Sequence, residues 1–359
     1  MTEFVSTAVQ GGVAYLTLTR PQALNALSLD MIRAITAALE QWESDPAVHA
    51  VVVAGAGGKA FCAGGDIRWF HQAYHANDPL LDQFFVEEYA LNHLIHRYRK
   101  PYIALMDGVV MGGGMGISQG ARLRIVTDRT KMAMPETNIG LFPDVGGGWF
   151  LARTPGHIGE YLGLTGVVIH AADALFAKLA DAYLPANAMA ELAASLQAQV
   201  FENGDAVLAH IATLTDQHAA ACDPATSQLA QQAEAIDSLF SGATAQDILA
   251  AVSDTAGDWA AQTAATLRSR SPLMLCVTLE QIRRARTMSL EDELRMELDM
   301  MYDVFRHGDG IEGIRALVID KDHQPKWKPA RLDEVTPGRV RAFFDSKWRR
   351  EEHPLAALG

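Results

Sequence analysis

Residues 48–67 read VHAVVVAGAGGKAFCAGGDI, an almost unbroken apolar run over 48–54 that passes into a glycine-rich loop. A strand with no polar alternation is one buried on both faces, as in a parallel sheet. Outward from it, residues 12–19, GVAYLTLT, alternate and carry β-branched and aromatic members, so a second strand precedes. Between the two, Ser28 suits a helix N-cap, Ile32, Ile35, Leu39 and Trp42 follow at helical spacing, and Asp45 and Pro46 stop the element. On the other side, 102–106 with Val109 and Val110, and then 122–126, repeat the buried-strand theme. Strand and helix in alternation make an α/β core.

From about residue 171 the texture changes. Ala and Gln become abundant over 184–266, and regularly placed Leu, Ile, Val and Phe predict amphipathic helices. The division expected from this shift is a catalytic core over 1–185 and a helical region over 186–359. Near the end, Ser289 and Asp292 resemble a capping box, and Leu290, Leu294, Leu298, Met301 and Phe305 lay an apolar stripe behind it that reads as core packing.

Composition excludes several classes of function. Thirty Lys and Arg against 43 Asp and Glu give a net charge of -13, so there is no cationic excess to displace counterions from nucleic acid. Cys62, Cys222 and Cys276 are too few and too far apart for a disulfide framework or a thiolate metal cage. The start, MTEFVSTAVQ, has no basic flank and no apolar run, and no stretch of about 18 apolar residues occurs elsewhere. The expectation is a cytoplasmic protein with no membrane partner.

Three segments carry residue types suited to chemistry. The loop 55–67 either brings backbone N–H groups close to a ligand or is a tight strand-to-helix turn. It has neither the GxxxxGK[ST] spacing of a triphosphate loop nor a dinucleotide fingerprint, which weakens nucleotide readings. The segment 107–120, DGVVMGGGMGISQG, sends a strand through three glycines into a helix-compatible run, where exposed N–H groups can face an oxygen gaining negative charge. The segment 132–153, MAMPETNIGLFPDVGGGWFLAR, sets Glu136 and Asp144 among apolar residues and glycines. Carboxyls so placed have raised pKa values suited to base, acid or nucleophile work; alternatively Glu136 caps a helix after Pro135 and Asp144 closes an Asx turn after Pro143. Histidine offers no zinc spacing: His93 and His96 are three apart, but no HExxH occurs. Cys62 has no histidine base nearby in sequence and reads as small buried packing.

Taken together, the glycine loop, the glycine triplet and PETNIGLFPDVGG strongly resemble the crotonase (enoyl-CoA hydratase/isomerase) superfamily, and within it the 3-hydroxyisobutyryl-CoA hydrolase branch. The likeness runs over 12–166 and resumes at 313–330, GIRALVIDKDHQPKWKPA, which resembles the carboxyl-terminal signature of that branch. It implies a spiral of β-β-α turns forming two sheets, a helical carboxyl-terminal region, and an acyl-CoA thioester as substrate. By correspondence, the N–H groups of Gly65 and Gly113 are the donors to the thioester oxygen. Family hydratases use two glutamates, one just after the triplet and one in the PE motif; here the first position is Gly116 and the second is Glu136. The hydrolase branch uses the PE glutamate and the PD aspartate, matched by Glu136 and Asp144, and a substrate-binding glutamate matched by Glu88.

The resemblance thus implies an acyl-CoA hydrolase that releases the free hydroxy acid and CoA. Glu136 either attacks the carbonyl or activates water, and Asp144 holds the 3-hydroxyl or orients the water. No metal or redox cofactor is called for, since CoA is part of the substrate and a product. Lys59 and Arg20 are candidates for the CoA phosphates or are ordinary surface charges. Enoyl-CoA hydration or isomerisation on the same fold is the nearest alternative, and a non-catalytic CoA-binding protein the next. Acyl specificity is open, one methyl in the pocket being worth roughly 1–3 kcal/mol, and the superfamily resemblance implies a homo-oligomer.

Overall fold

The structure is a computed structural model that describes residues 3–359. Among the described residues the strands are β1 (Val5–Gln10), β2 (Val13–Leu18), β3 (Ala50–Gly55), β4 (Ala60–Cys62), β5 (Tyr102–Met106), β6 (Val109–Met111), β7 (Leu123–Val126), β8 (Lys131–Ala133) and β9 (Ala182–Tyr183). They form a six-stranded sheet in the order β1-β2-β3-β5-β7-β9 and a three-stranded sheet in the order β4-β6-β8. β1 and β2 pair antiparallel. All the other ladders are parallel.

Three times in succession the chain leaves a strand of the larger sheet and at once adds one to the smaller: β3 to β4, β5 to β6, β7 to β8. After β4 come helices α2 (Ile67–Ala76) and α3 (Leu80–His96), with α1 (Leu29–Ser44) lying earlier, between β2 and β3; after β6 comes α4 (Gly113–Gln119). This is the β-β-α winding that the resemblance implied. The apolar run at 48–54 becomes β3, flanked on both sides by β2 and β5 and nearly inaccessible from Ala50 to Val53. α1 begins at Ser28, whose hydroxyl accepts the Met31 N–H at 3.3 Å, and it buries Ile32, Ile35, Leu39 and Trp42.

Contacts gather the chain into two compact units interleaved along the sequence. One comprises the stretch up to Gly65, Ala90–Ala133 and Val168–Gln231; the other comprises Asp66–Tyr89, Met134–Val167 and Gln232–Gly359. The first holds every strand, and its core joins Val13, Val52, Ile103 and Ile125 of the sheet to Leu192, Leu196, Val207 and Ile211 of the helices Met189–Gln197 and Gly204–His218. The compositional change near residue 185 is therefore one of texture, whereas the contact units alternate along the chain.

The second unit is helical. Its helices Pro272–Ala285 and Leu290–His307 bury apolar faces, and the stripe of Leu290, Leu294, Leu298, Met301 and Phe305 is inside. Ser289 caps as expected, accepting the Asp292 N–H at 3.1 Å. The Asp292 carboxylate pairs with Arg295 at 2.8 Å. The segment 313–330 packs on the turn that follows the PE motif. A Cβ on Gly313 would lie inside van der Waals contact of the Ile139 backbone, so only glycine permits that approach. Asp309 anchors the segment's far end, accepting from the Ser271 hydroxyl at 2.6 Å and from the Lys328 N–H at 2.9 Å. Among the described residues no helix is long and apolar enough to cross a membrane.

Candidate active site

In the first unit, the two glycine segments meet. β4 ends at Cys62, and Gly64, at φ 103°, turns the chain so that the Leu27 N–H donates to its carbonyl at 2.8 Å. In that parallel bridge Leu27 pairs with Gly65, but the bond runs to the carbonyl of Gly64, so the N–H of Gly65 takes no part in it. Gly112 caps α4 at φ 49°, and the first bonds into the helix run from Met115 and Gly116 to its carbonyl, so the Gly113 N–H has no intrahelical acceptor. A Cβ on Gly64 would lie 3.3 Å from the Gly113 nitrogen, and one on Gly114 would strike the Cys62 carbonyl. The α4 N-terminus and the β4 exit are thus in direct contact, and glycine is what allows it. Gly116, in the first turn of α4, is buried and brings no carboxylate.

Lys59 is exposed on the turn between β3 and β4. Arg20 belongs to its own turn: its Nη1 donates to the Ala26 carbonyl at 3.3 Å, and its guanidinium lies 5.6 Å from the Phe4 ring centre. Cys62 is fully buried, as its reading for packing expected.

In the second unit, three carboxyls sit inside. Glu136 opens a 3-10 turn, Glu136–Ile139, with Pro135 at the cap. Its own backbone N–H bonds to the carboxyl, and its buried Oε2 has no hydrogen-bond partner. Burial, and after it the Asp144 charge, push its pKa well above the usual carboxyl range. Asp144 receives the Tyr89 hydroxyl at 2.9 Å. The turn after Pro143 is closed by backbone, the Gly147 N–H donating to the Asp144 carbonyl at 2.8 Å, so the carboxylate is not consumed in an Asx turn. Burial raises the Asp144 pKa to about 6, against the lowering action of the Tyr89 bond. Glu88, the substrate-binding candidate that the resemblance named, is 2% exposed, with one oxygen unpartnered. Burial, then Asp144 and Glu136, raise it strongly.

Sequence reasoning missed four residues around this cluster. Tyr89 is one; the others are Gln281, Glu293 and Glu297, all fully buried. Glu297 accepts from the N–H of Gly146 at 2.8 Å and of Gly148 at 3.3 Å, while the Gln281 amide reaches the Pro143 carbonyl at 2.7 Å and Glu297 at 3.0 Å. They hold the turn that carries Asp144, in which Val145 adopts φ 59°, an uncommon conformation for a β-branched residue. A signal was present: Glu293 and Glu297 stand three and seven residues after Leu290, on the periodicity of the buried stripe.

A family model described as enoyl-CoA hydratase/isomerase matches residues 13–344. The chain belongs to this family. Among curated relatives, the mitochondrial 3-hydroxyisobutyryl-CoA hydrolase of Xenopus laevis is 41% identical over 95% of this chain and 88% of its own length. The Homo sapiens protein of that name is 38% identical over 94% and 87%. Of solved structures, a carnitinyl-CoA dehydratase from Mycobacterium thermoresistibile superposes with TM-score 0.88 at 41% identity, over 96% of this chain and 97% of its own. An enoyl-CoA hydratase from Rhodobacter sphaeroides 2.4.1 does so with TM-score 0.86 at 37%, over 96% and 98%. This crotonase-family chain is accordingly an enzyme of acyl-CoA thioesters, closely related to the 3-hydroxyisobutyryl-CoA hydrolase branch. The cytoplasmic assignment is corrected by these comparisons, since the curated relatives are named as mitochondrial proteins. Ten amino-terminal residues report only their own composition and could not carry that assignment. Among the described residues no group of three or more His, Cys, Asp or Glu is arranged to hold a metal ion.

Proposed function

We propose that this enzyme hydrolyses the thioester of a 3-hydroxyacyl-CoA, with 3-hydroxyisobutyryl-CoA the substrate to try first. The observation that carries the reading is the carboxyl set. At the first turn of α4 stands Gly116, which leaves acid-base or nucleophilic work to Glu136, with its bare buried oxygen, and to Asp144. The N–H groups of Gly65 and Gly113 receive the thioester oxygen as it gains charge, a role worth about 3 kcal/mol per donor. Glu136 either adds to the carbonyl carbon, so that the C–S bond breaks to an acyl-enzyme anhydride which water then opens, or takes the proton of the attacking water. CoA leaves as thiolate and is protonated. Asp144 and Glu88 hold the acyl group's hydroxyl or the water, and Lys59 attracts a CoA phosphate. The names of the curated relatives support hydrolysis.

A second reading, enoyl-CoA hydration or dehydration, is favoured by the two solved structures named above, described as a dehydratase and a hydratase. In it Glu136 and Asp144 share the proton transfers that two glutamates perform in family hydratases. Thiol release from 3-hydroxyisobutyryl-CoA, followed with a chromogenic thiol reagent beside the hydration of crotonyl-CoA, separates the two. Thiol without hydration supports the hydrolase; hydration without thiol replaces it with the second reading. 3-Hydroxypropionyl-CoA, one methyl smaller, measures how closely the pocket fits.

Tyr89→Phe tests the ionisation assigned to Asp144. The hydroxyl lowers that carboxyl's pKa, so its removal lifts the pKa further above about 6. The acidic limb of kcat against pH should move up by about one unit, with little loss at pH 8. A limb that stays in place or moves down would remove Asp144 from the titrating step.

A further inference from the structure

The proposed chemistry assigns no task to Glu293, Glu297 and Gln281, although all three are fully buried. We propose that Glu297, seated by Glu293 and Gln281, is a positioning residue for Asp144. The inference rests on the reading that Asp144 serves the reaction, whichever acyl-CoA reaction that is.

The geometry is specific to the turn. Glu297 Oε2 accepts the Gly146 N–H at 2.8 Å, and Oε1 accepts the Gly148 N–H at 3.3 Å and the Gln281 amide at 3.0 Å. The same amide nitrogen donates to the Pro143 carbonyl at 2.7 Å. Bonds therefore grip residues 143, 146 and 148, on both sides of Asp144. Between them Val145 and Gly146 both have positive φ, at 59° and 85°. A β-branched residue does not rest there unless surrounding contacts over-determine the turn. Three N–H donors on one carboxyl supply that determination.

The electrostatics suit a clamp rather than a reacting acid. Glu293 and Glu297 are hydrogen-bonded to each other, and burial holds both above the ordinary carboxyl range, so the pair shares a proton. The groups that act on the pair are Asp144 and Gln281, with the N–H groups of Gly146 and Trp149. Glu293 also acts on Arg153, and Glu297 on Tyr89. A single charge against so many donors can remain buried, whereas two charges beside Asp144 could not.

The test is a mutant cycle on the full chain. Glu297→Gln keeps the shape but puts an NH2 group where an oxygen accepted an N–H. It should lower kcat about 100-fold, as a displacement near 1 Å of a reacting group does, with KM within about 3-fold. In an Asp144→Asn background the same change should cost less than about 3-fold, because the group being positioned is already gone. An equal fall in both backgrounds, or a kcat within 2-fold of wild type in the single variant, overturns the proposal. Val252→Ala, a core truncation on the helix Ala245–Asp254, controls for lost stability and should leave kcat in place. Should Glu297→Gln not fold, Gln281→Met is put through the same cycle with the same two outcomes. The cycle is run on whichever of thiol release or hydration the wild type performs, so failure of the hydrolase reading is seen separately in the wild type. A crystal structure of the variant decides without any activity: loss of the 2.9 Å Tyr89–Asp144 contact supports the proposal, and an unmoved turn at 144–148 overturns it.

Discussion

Glu136→Gln should lower kcat for thiol release by about 1,000-fold or more while making the folded protein more stable at pH 8. The amide has nearly the shape of the carboxyl but can neither add to a thioester carbon nor take a proton from water. On either assignment of Glu136 its chemistry ends, and substrate binding is kept. The stability change follows from the direction of the pKa. Burial, and then Asp144, hold the Glu136 carboxyl well above its unfolded value, so between the two pKa values the folded state binds the proton and the unfolded state does not. Stability is whole below the unfolded value, about 4.3, and is lost as pH rises through the folded one. The neutral amide carries no such loss. Its gain in Tm over wild type should be largest near pH 8 and vanish near pH 4, measured by thermal unfolding at both. A variant with kcat within 10-fold of wild type would remove Glu136 from the reaction. One equally destabilised at both pH values would mean that its carboxyl is held by bonds and not merely buried.

Much of this arrangement was legible in the residues. β3 showed itself because Ala50 to Val53 carry no polar side chain, and α1 because a capping serine precedes buried positions at helical spacing. β4 and β8 are three residues each, too short for any periodicity to register, and they were hidden inside a glycine loop and ahead of the PE motif. Their pairing with β6 makes the smaller sheet, so its existence came only from the resemblance. In the site, Glu136 and Asp144 stood out as lone carboxyls among glycines and apolar residues. Glu293 and Glu297 did not, because ELRMEL on a helix reads as a solvated charged face until the neighbouring leucines fix which side is inward. Glu88, whose local spacing is equally silent, was named only through the resemblance. What separates a surface glutamate from a buried one is tertiary contact, and local spacing records that only where a charge falls on the apolar period.

Gly114→Ala should be nearly as damaging, although it alters no functional group. Alanine is a better helix former than glycine, and Gly114 lies inside α4, so local propensity favours the change by about 1 kcal/mol. Packing decides otherwise. The added Cβ would meet the Cys62 carbonyl oxygen at the end of β4, and a backbone atom in a ladder has no rotamer through which to escape. The helix must retreat by about 1 Å, at a cost of about 1–3 kcal/mol of stability. Gly113 is the residue before, so its N–H retreats too, away from the loop that holds Gly65. An oxyanion donor acts by being in place before charge develops, and losing one costs about 100- to 1,000-fold in kcat. Thiol-release kinetics should show that loss in kcat, while CoA affinity, read by calorimetry, changes by less than about 3-fold. A fall in affinity with kcat intact would make the glycine contact a matter of binding, and the α4 N-terminus would then lose its part in stabilising the oxyanion.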